Sequence, residues 1–338
     1  MRIDAITVEG FRNLKSQTVE LGPGLNVFMG PNGSGKTNLL ETLFVLCLSR
    51  SQKSATDSIL IGEEAEYYRL EGTLALKDRQ YRVAVAYEKR GRKKITLDQT
   101  PIKATELYDR FCAVSTGPED SGILSGSPSR RRLFMDVYLS QLTRSYIGHL
   151  TDYQRALTQK NAALKHDMDT EPFDALLIEY GSKLMEERKK FVDSLRQTTV
   201  DCYSQVAGGE QMELTYQPKI ELDDLLVGIE QIKEAFTEKL SHVGPRERAA
   251  GVSLVGPHRD DLDFTINARP ARTHASQGQW RTAAVALKYA VYQLLKSTKG
   301  TAPVLLLDEI FAELDHERAT RMMHLFGEAE QTFVTTAG

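Results

Sequence analysis

The residues Gly30-Pro31-Asn32-Gly33-Ser34-Gly35-Lys36-Thr37 restrict this chain more than any other stretch. A glycine, four residues and Gly-Lys-Thr, set between the apolar run Leu25–Met29 and the segment Asn38-Leu39-Leu40-Glu41, have the spacing and context of a phosphate-binding loop that joins a strand to a helix. Glycines let successive N–H groups converge on one concavity, and the positive end of the following helix faces the same point. In that geometry Lys36 reaches the β- and γ-phosphates and the Thr37 hydroxyl is placed to bind Mg²⁺. The chain is therefore expected to bind a nucleoside triphosphate through Gly30, Asn32, Gly33, Ser34, Gly35, Lys36, Thr37 and Asn38.

With 338 residues, 41% of them hydrophobic and 26% charged, the chain is long enough for two domains or for one with a large insertion. Its start, Met1-Arg2-Ile3-Asp4-Ala5, lacks the apolar run of a signal peptide, and no apolar stretch approaches the roughly 20 residues of a membrane span. The expectation is a cytoplasmic protein with no membrane partner. Cys47, Cys112 and Cys202 show no metal-site spacing, so reduced buried thiols are expected and zinc is not. A net charge of −3 means that nucleic acid can be bound only through local basic patches.

Strand patterns at 3–8, 18–21 and 25–29 lead into the loop. A polar segment at 49–54 reads as a loop, and the runs at 69–76, 80–87 and 94–97 read as an antiparallel meander. Ser127-Pro128 supplies an N-cap and an N1 proline for a helix to about Leu164, and a second helix is expected from Phe173 to Val206, stopped by Gly208-Gly209. Further helices are expected at 222–240, 278–296 and 316–327, with returning strands at 253–255, 262–266, 303–308 and 331–335. The fold class is thus α/β: residues 1–126 and 244–338 form the two parts of a nucleotide-binding head, and 127–243 form an inserted helical arm lobe.

Val304-Leu305-Leu306-Leu307-Asp308-Glu309 has no alternation, as befits a parallel strand buried on both faces, and it ends in two acids. Ligands bind at the carboxyl ends of strands in α/β sheets, so both carboxylates are expected beside the loop. Asp308 would then hold Mg²⁺, and Glu309 would orient and deprotonate the water that attacks the γ-phosphate, with Lys36 completing the catalytic set. Ser276-Gln277-Gly278-Gln279 opens a helix, where a hydroxyl and free N–H groups make a second anion site or, more simply, a helix cap.

The order of these motifs, ending in Glu313-Leu314-Asp315, resembles the ATP-binding-cassette head ATPases, including the chromosome-maintenance and double-strand-break-repair families. Gly10-Phe11-Arg12-Asn13-Leu14, Gly126–Arg132, Gly256-Pro257-His258-Arg259-Asp260-Asp261-Leu262 and Phe311–Asp315 narrow the resemblance to the RecF family of bacterial recombination mediators, over residues 1–336. The resemblance implies ATP and Mg²⁺ as cofactors and a homodimer that closes on ATP. Ser276, Gly278, Gln279 and Asp315 of one head would complete the nucleotide site of the other, and Arg12 would contact the nucleotide. It also implies slow, DNA-dependent hydrolysis used as a switch, binding to double-stranded DNA and single-strand/double-strand junctions, and action with RecO and RecR upstream of RecA.

The family of head ATPases carries a nucleotide-sensing glutamine for which no clear counterpart stands between Val114 and Glu119, and the switch residue expected after Phe333-Val334-Thr335-Thr336 is absent or substituted before Gly338, so less than full hydrolytic competence is expected. Lys89, Arg90, Arg92, Lys93 and Lys94 at a hairpin tip, and Arg130, Arg131 and Arg132 at a helix start, are the DNA-binding candidates. A solvated face for the first group, and i,i+4 pairing of Arg132 with Asp136 for the second, are the alternatives. His258 lacks a spaced partner, which favours a hydrogen-bonding turn over a metal site. The competing function is the cytoplasmic ATPase subunit of a transporter, opposed by the helical arm and the Gly-Phe-Arg-Asn entry.

Overall fold

The computed structural model describes residues 1–53, 56–221, 228–310, 317, 320–321, 325–327 and 329–337. They fall into two compact units, one of residues 1–121, 201–209 and 277–338, the other of 122–200 and 210–276. Residues 244–276, assigned from sequence to the head, thus belong with the second unit.

In the first unit, strands β1 (Arg2–Phe11), β2 (Leu14–Glu20), β3 (Gly24–Met29), β4 (Tyr67–Leu76), β5 (Arg79–Glu88), β6 (Lys94–Leu97), β7 (Thr100–Pro101) and β8 (Ala113–Thr116) are joined by helices α1 (Lys36–Leu48) and α2 (Ala104–Arg110). An antiparallel sheet runs β2-β1-β4-β5-β6-β7, and the expected meander supplies three of its six strands. Alternation in β4 points Tyr68, Leu70 and Leu74 inward, each 0% exposed. Helix α1 carries Leu43-Phe44-Val45-Leu46-Cys47-Leu48, all 0% exposed, because it packs against strands of both sheets and has no solvent face to make polar. Its approach to β4 is so close that a Cβ on Gly72 would lie 2.5 Å from the Leu46 side chain and 2.8 Å from the Ala5 carbonyl oxygen.

The second unit contains most of α3 (Ser121–Ser125), α4 (Pro128–Leu142), α5 (Arg144–Lys165), most of α6 (Glu171–Val206), β9 (Met212–Gln217), α7 (Ile229–Ala250), β10 (Asp261–Ile266), β11 (Arg269–Pro270) and α8 (Ala271–His274). The single helix expected to Leu164 is broken at Thr143, whose extended backbone caps α5. Segment 253–255 forms no strand, since Glu247 accepts hydrogen bonds from the Ser253 hydroxyl and the Leu254 N–H. Strand β9, whose burial alternates strictly, pairs with β10 and was not anticipated.

The Gly256–Leu262 stretch is the polar centre of this unit. Asp260 accepts from the Tyr216 hydroxyl and the Lys219 N–H, His258 Nδ1 lies 2.6 Å from the Tyr153 hydroxyl, and Arg188 donates to the Pro257 carbonyl at 2.6 Å and to Asp136 at 2.8 Å. Burial pushes the His258 pKa down to about 4, so the ring is neutral at pH 7 and serves the hydrogen-bonding turn expected of it. Gly256 is irreplaceable here, with φ +124° and the Tyr153 hydroxyl 2.4 Å from where a Cβ would stand.

The first unit closes with α9 (Gln277–Lys299), β12 (Val304–Asp308) and β13 (Gln331–Thr336). A parallel sheet runs β3-β13-β12-β8, with Asp308 opposite Thr335 and Leu307 opposite Thr116. Leu305 and Leu306 of β12 are 0% exposed, as an unalternating central strand requires. This register brings the carboxyl ends of β3, β12, β13 and β8 to one edge. Half of the helix expected at 316–327 lies outside the described residues.

Candidate nucleotide site

The loop after β3 is shaped by two left-handed glycines, Gly33 (φ +82°) and Gly35 (φ +99°). Gly35 also admits the close approach of Leu14, whose Cδ2 would stand 2.8 Å from an added Cβ. Asn13 ties the entry turn to this loop: its amide donates to the Gly33 carbonyl at 3.1 Å and accepts from the Asn38 amide at 2.8 Å. Lys36 begins α1 and folds back on the loop, its Nζ donating to the Gly30 and Pro31 carbonyls at 2.8 and 3.1 Å. Asn13, Asn32, Gly33, Gly35, Lys36, Thr37, Asn38 and Glu309 line one polar cleft.

The start of helix α1 and the carboxyl end of strand β12 meet. The Thr37 hydroxyl donates to Asp308 Oδ1 at 2.8 Å, although the two residues are 271 positions apart. Thr335, at the end of β13, donates to the same oxygen at 2.7 Å and accepts from the Glu309 N–H at 3.0 Å. Glu309 turns out of the strand with φ +48°, a conformation unusual for a non-glycine residue, and places Oε1 3.6 Å from Lys36 Nζ. Hydroxyl and carboxylate oxygens fit Mg²⁺, which takes one or two carboxylates and completes its octahedron with phosphate and water. No group of three or more His, Cys, Asp or Glu able to hold a metal occurs among the described residues.

The structure therefore brings together Lys36, Thr37, Asp308 and Glu309. Arg12 is placed differently: its guanidinium grips the Glu41 carboxylate of α1 at 2.5 and 3.0 Å, and Ser51 donates to the same carboxylate. Ser276 is exposed immediately before α9, with Gly278 and Gln279 in its first turn. Asp315 lies outside the described residues.

The basic candidates divide. Arg131 is buried, paired with both oxygens of Asp261 at 2.5 and 2.9 Å and bonded to the Ile123 and Gly126 carbonyls, so its charge is consumed within the fold. Arg132 donates to the Asp260 carbonyl at 2.9 Å instead of pairing at i+4. Lys93 is held by Asp57 at 2.5 Å and by the Ser49 carbonyl at 2.6 Å. Lys89, Arg90, Arg92, Lys94 and Arg130 are exposed.

Thr335, Lys53 and Glu119 were not identified from sequence. Lys53 Nζ lies 2.8 Å from Glu119 and 3.8 Å from Asp308 Oδ2. Thr335 had a usable signal, a hydroxyl at the end of the last parallel strand; Lys53 and Glu119 meet only because β8, a strand of four residues, pairs beside β12.

Residues 2–338 match the profile of the RecF/RecN/SMC N terminal domain family. The DNA replication and repair protein RecF of Halalkalibacterium halodurans is 35% identical over 99% of this chain and 92% of its own length, and that of Staphylococcus carnosus is 33% identical over 99% and 93%. A solved structure of the recombination mediator protein RecF-ATP in the RecFOR pathway superposes with a TM-score of 0.92 at 30% identity, covering 99% of this chain and 92% of that one. An Smc head bound to the C-winged helix domain of ScpA, 16% identical with a TM-score of 0.56, shares the fold. No described helix is long and apolar enough to cross a membrane.

Proposed function

This chain belongs to the RecF family, and on that premise we propose that it is an ATP-gated DNA-binding dimer of recombinational repair. The observation that carries the reading is the hydrogen bond from Thr37 to Asp308, which joins the phosphate-binding loop to the strand bearing Glu309. Lys36, now turned onto the Gly30 and Pro31 carbonyls, exchanges those acceptors for the β- and γ-phosphates. Bound Mg²⁺, held by Thr37 and Asp308, would supply charge neutralisation at the phosphate oxygens. Glu309 orients the attacking water and takes its proton, and Thr335 fixes the backbone from which Glu309 projects. Hydrolysis is slow and stimulated by DNA, so it serves to reset a switch.

The nucleotide of one head is capped by Ser276, Gly278, Gln279 and Asp315 of a second copy. The N–H groups at the start of α9 suit a γ-phosphate approaching along the helix axis. The closed dimer engages gapped DNA and single-strand/double-strand junctions, through exposed cations such as Arg90, Arg92 and Arg130, and acts with RecR and RecO to load RecA.

Binding to matched duplex, single-stranded and gapped DNA across a salt series tests this. ATP with Mg²⁺ is expected to tighten binding to gapped DNA by at least about tenfold, within the usual range of coupling between two sites. The logarithmic salt slope should fall when Arg90 and Arg92 are both changed to glutamine, by nearly one unit for each phosphate that is no longer neutralised. Equal affinity for all three DNAs, unmoved by ATP, would remove the mediator reading.

A further inference from the structure

The turn that follows β8 stands where a nucleotide-sensing glutamine was sought, and it presents a carboxylate. Pro118–Asp120 form a single 3₁₀ turn, stiffened because Asp120 accepts from the Gly117 N–H at 2.9 Å. Lys288 of α9 reaches into it, bonding the Ser115 carbonyl at 2.7 Å and lying 2.9 Å from Asp120. The helix opened by Gln277-Gly278-Gln279 is thereby fastened to the same turn that carries Glu119.

Glu119 is aimed at the metal end by this frame. Lys53, from the loop after α1, lies between it and Asp308, 2.8 Å from Glu119 Oε1 and 3.8 Å from Asp308 Oδ2. The lysine side chain is 26% exposed and the Asp308 side chain 9%, so solvent screens this group only partly. Burial alone would raise the Glu119 carboxyl pKa, yet the Lys53 ammonium outweighs it and holds the group below the usual range. Neighbouring Gln52 donates to the Ser115 hydroxyl at 2.7 Å and pins the Lys53 loop against β8.

We propose that Lys53 is a tethered counter-ion that competes with the divalent cation for Asp308, and that Glu119 is the positioning residue that draws Lys53 aside when metal and nucleotide load. This rests on the nucleotide-site reading above. A doubly charged ion between Thr37 and Asp308 and an ammonium at its present distance from the same carboxylate repel each other, so entry of the ion requires Lys53 to retreat. Glu119 keeps the retreating lysine neutralised inside the site. Because α9 is fastened to the Glu119 turn through Lys288, the retreat registers at the helix that faces a second copy.

The two members of the pair should act in opposite senses. In a Mg²⁺ titration of fluorescent ATP-analogue binding by the full chain, Lys53→Met removes the competitor and lowers the half-saturating Mg²⁺ by about fivefold, the scale of a partly screened ion pair. Glu119→Gln leaves Asp308 as the lysine's main counter-ion and raises it by a similar factor. Lys53→Arg, which keeps the charge, stays near the parent value. Unfolding midpoints within a few degrees of the parent establish that each variant is folded. Shifts of Lys53→Met and Glu119→Gln in the same direction, or no shift in either, overturn the proposal. If the parent chain itself shows no saturable Mg²⁺-dependent binding, the nucleotide-site reading falls too, whereas parental binding with unmoved variants removes only the counter-ion assignment.

Discussion

Arg131→Ala is expected to destabilise the protein by about 1.5–3 kcal/mol, because it removes a buried arginine that bonds both oxygens of the half-buried Asp261 and two loop carbonyls. The Arg131 side chain is 4% exposed, and its fork satisfies both Asp261 oxygens together with two carbonyls of the preceding loop. Asp261 owes its depressed pKa to this arrangement: burial opposes ionisation, and the Arg131 hydrogen bond overcomes it. Denaturant unfolding measures the loss. Arg130→Ala, at the exposed neighbouring position, should stay within about 0.5 kcal/mol of the parent. A stable Arg131→Ala protein with weakened DNA binding would instead return this arginine to the DNA-contact set.

Lys36→Met should weaken ATP binding at least about 100-fold, equivalent to about 2.7 kcal/mol, while leaving the fold intact. The Lys36 ammonium bonds only loop carbonyls and approaches Glu309, interactions that shape the site and carry little of the core. Titration calorimetry with ATP and Mg²⁺ gives the affinity, and thermal unfolding of the same sample reports the fold. ATP affinity within threefold of the parent, a tolerance set by the spread of about 0.5 kcal/mol for innocuous substitutions, would place the phosphates elsewhere.

Much of this architecture is legible because its signals are local. The Gly-Lys-Thr spacing, the unalternating Val304–Leu307 run and the alternation along β4 each reflect a constraint that acts on neighbouring residues, and the parallel sheet then brings Thr37 and Asp308 together as expected. The interruption at Thr143 was missed because no glycine or proline marks it: one extended residue separates α4 from α5. Strand β8 was missed because four residues carry too little pattern, and with it went the Glu119 turn. Charge runs misled for a different reason. Arg131 and Lys93 look like their exposed neighbours in sequence, and only the distant Asp261 and Asp57 show that their charges are spent inside the fold. The Arg12–Glu41 ion pair, between residues 29 positions apart, was equally illegible in the sequence.

On the proposed function, ATP joins two copies of this chain through Ser276 and the start of α9. Sedimentation velocity tests it most directly, with parent, Glu309→Gln and Ser276→Arg proteins run without nucleotide and with ATP and Mg²⁺. The expected result is a monomer without nucleotide and a dimer with ATP for the parent, a dimer that persists for Glu309→Gln because hydrolysis is blocked, and a monomer throughout for Ser276→Arg with ATP affinity unchanged. A parent that stays monomeric under saturating ATP, or a Ser276→Arg protein that dimerises as the parent does, would contradict it.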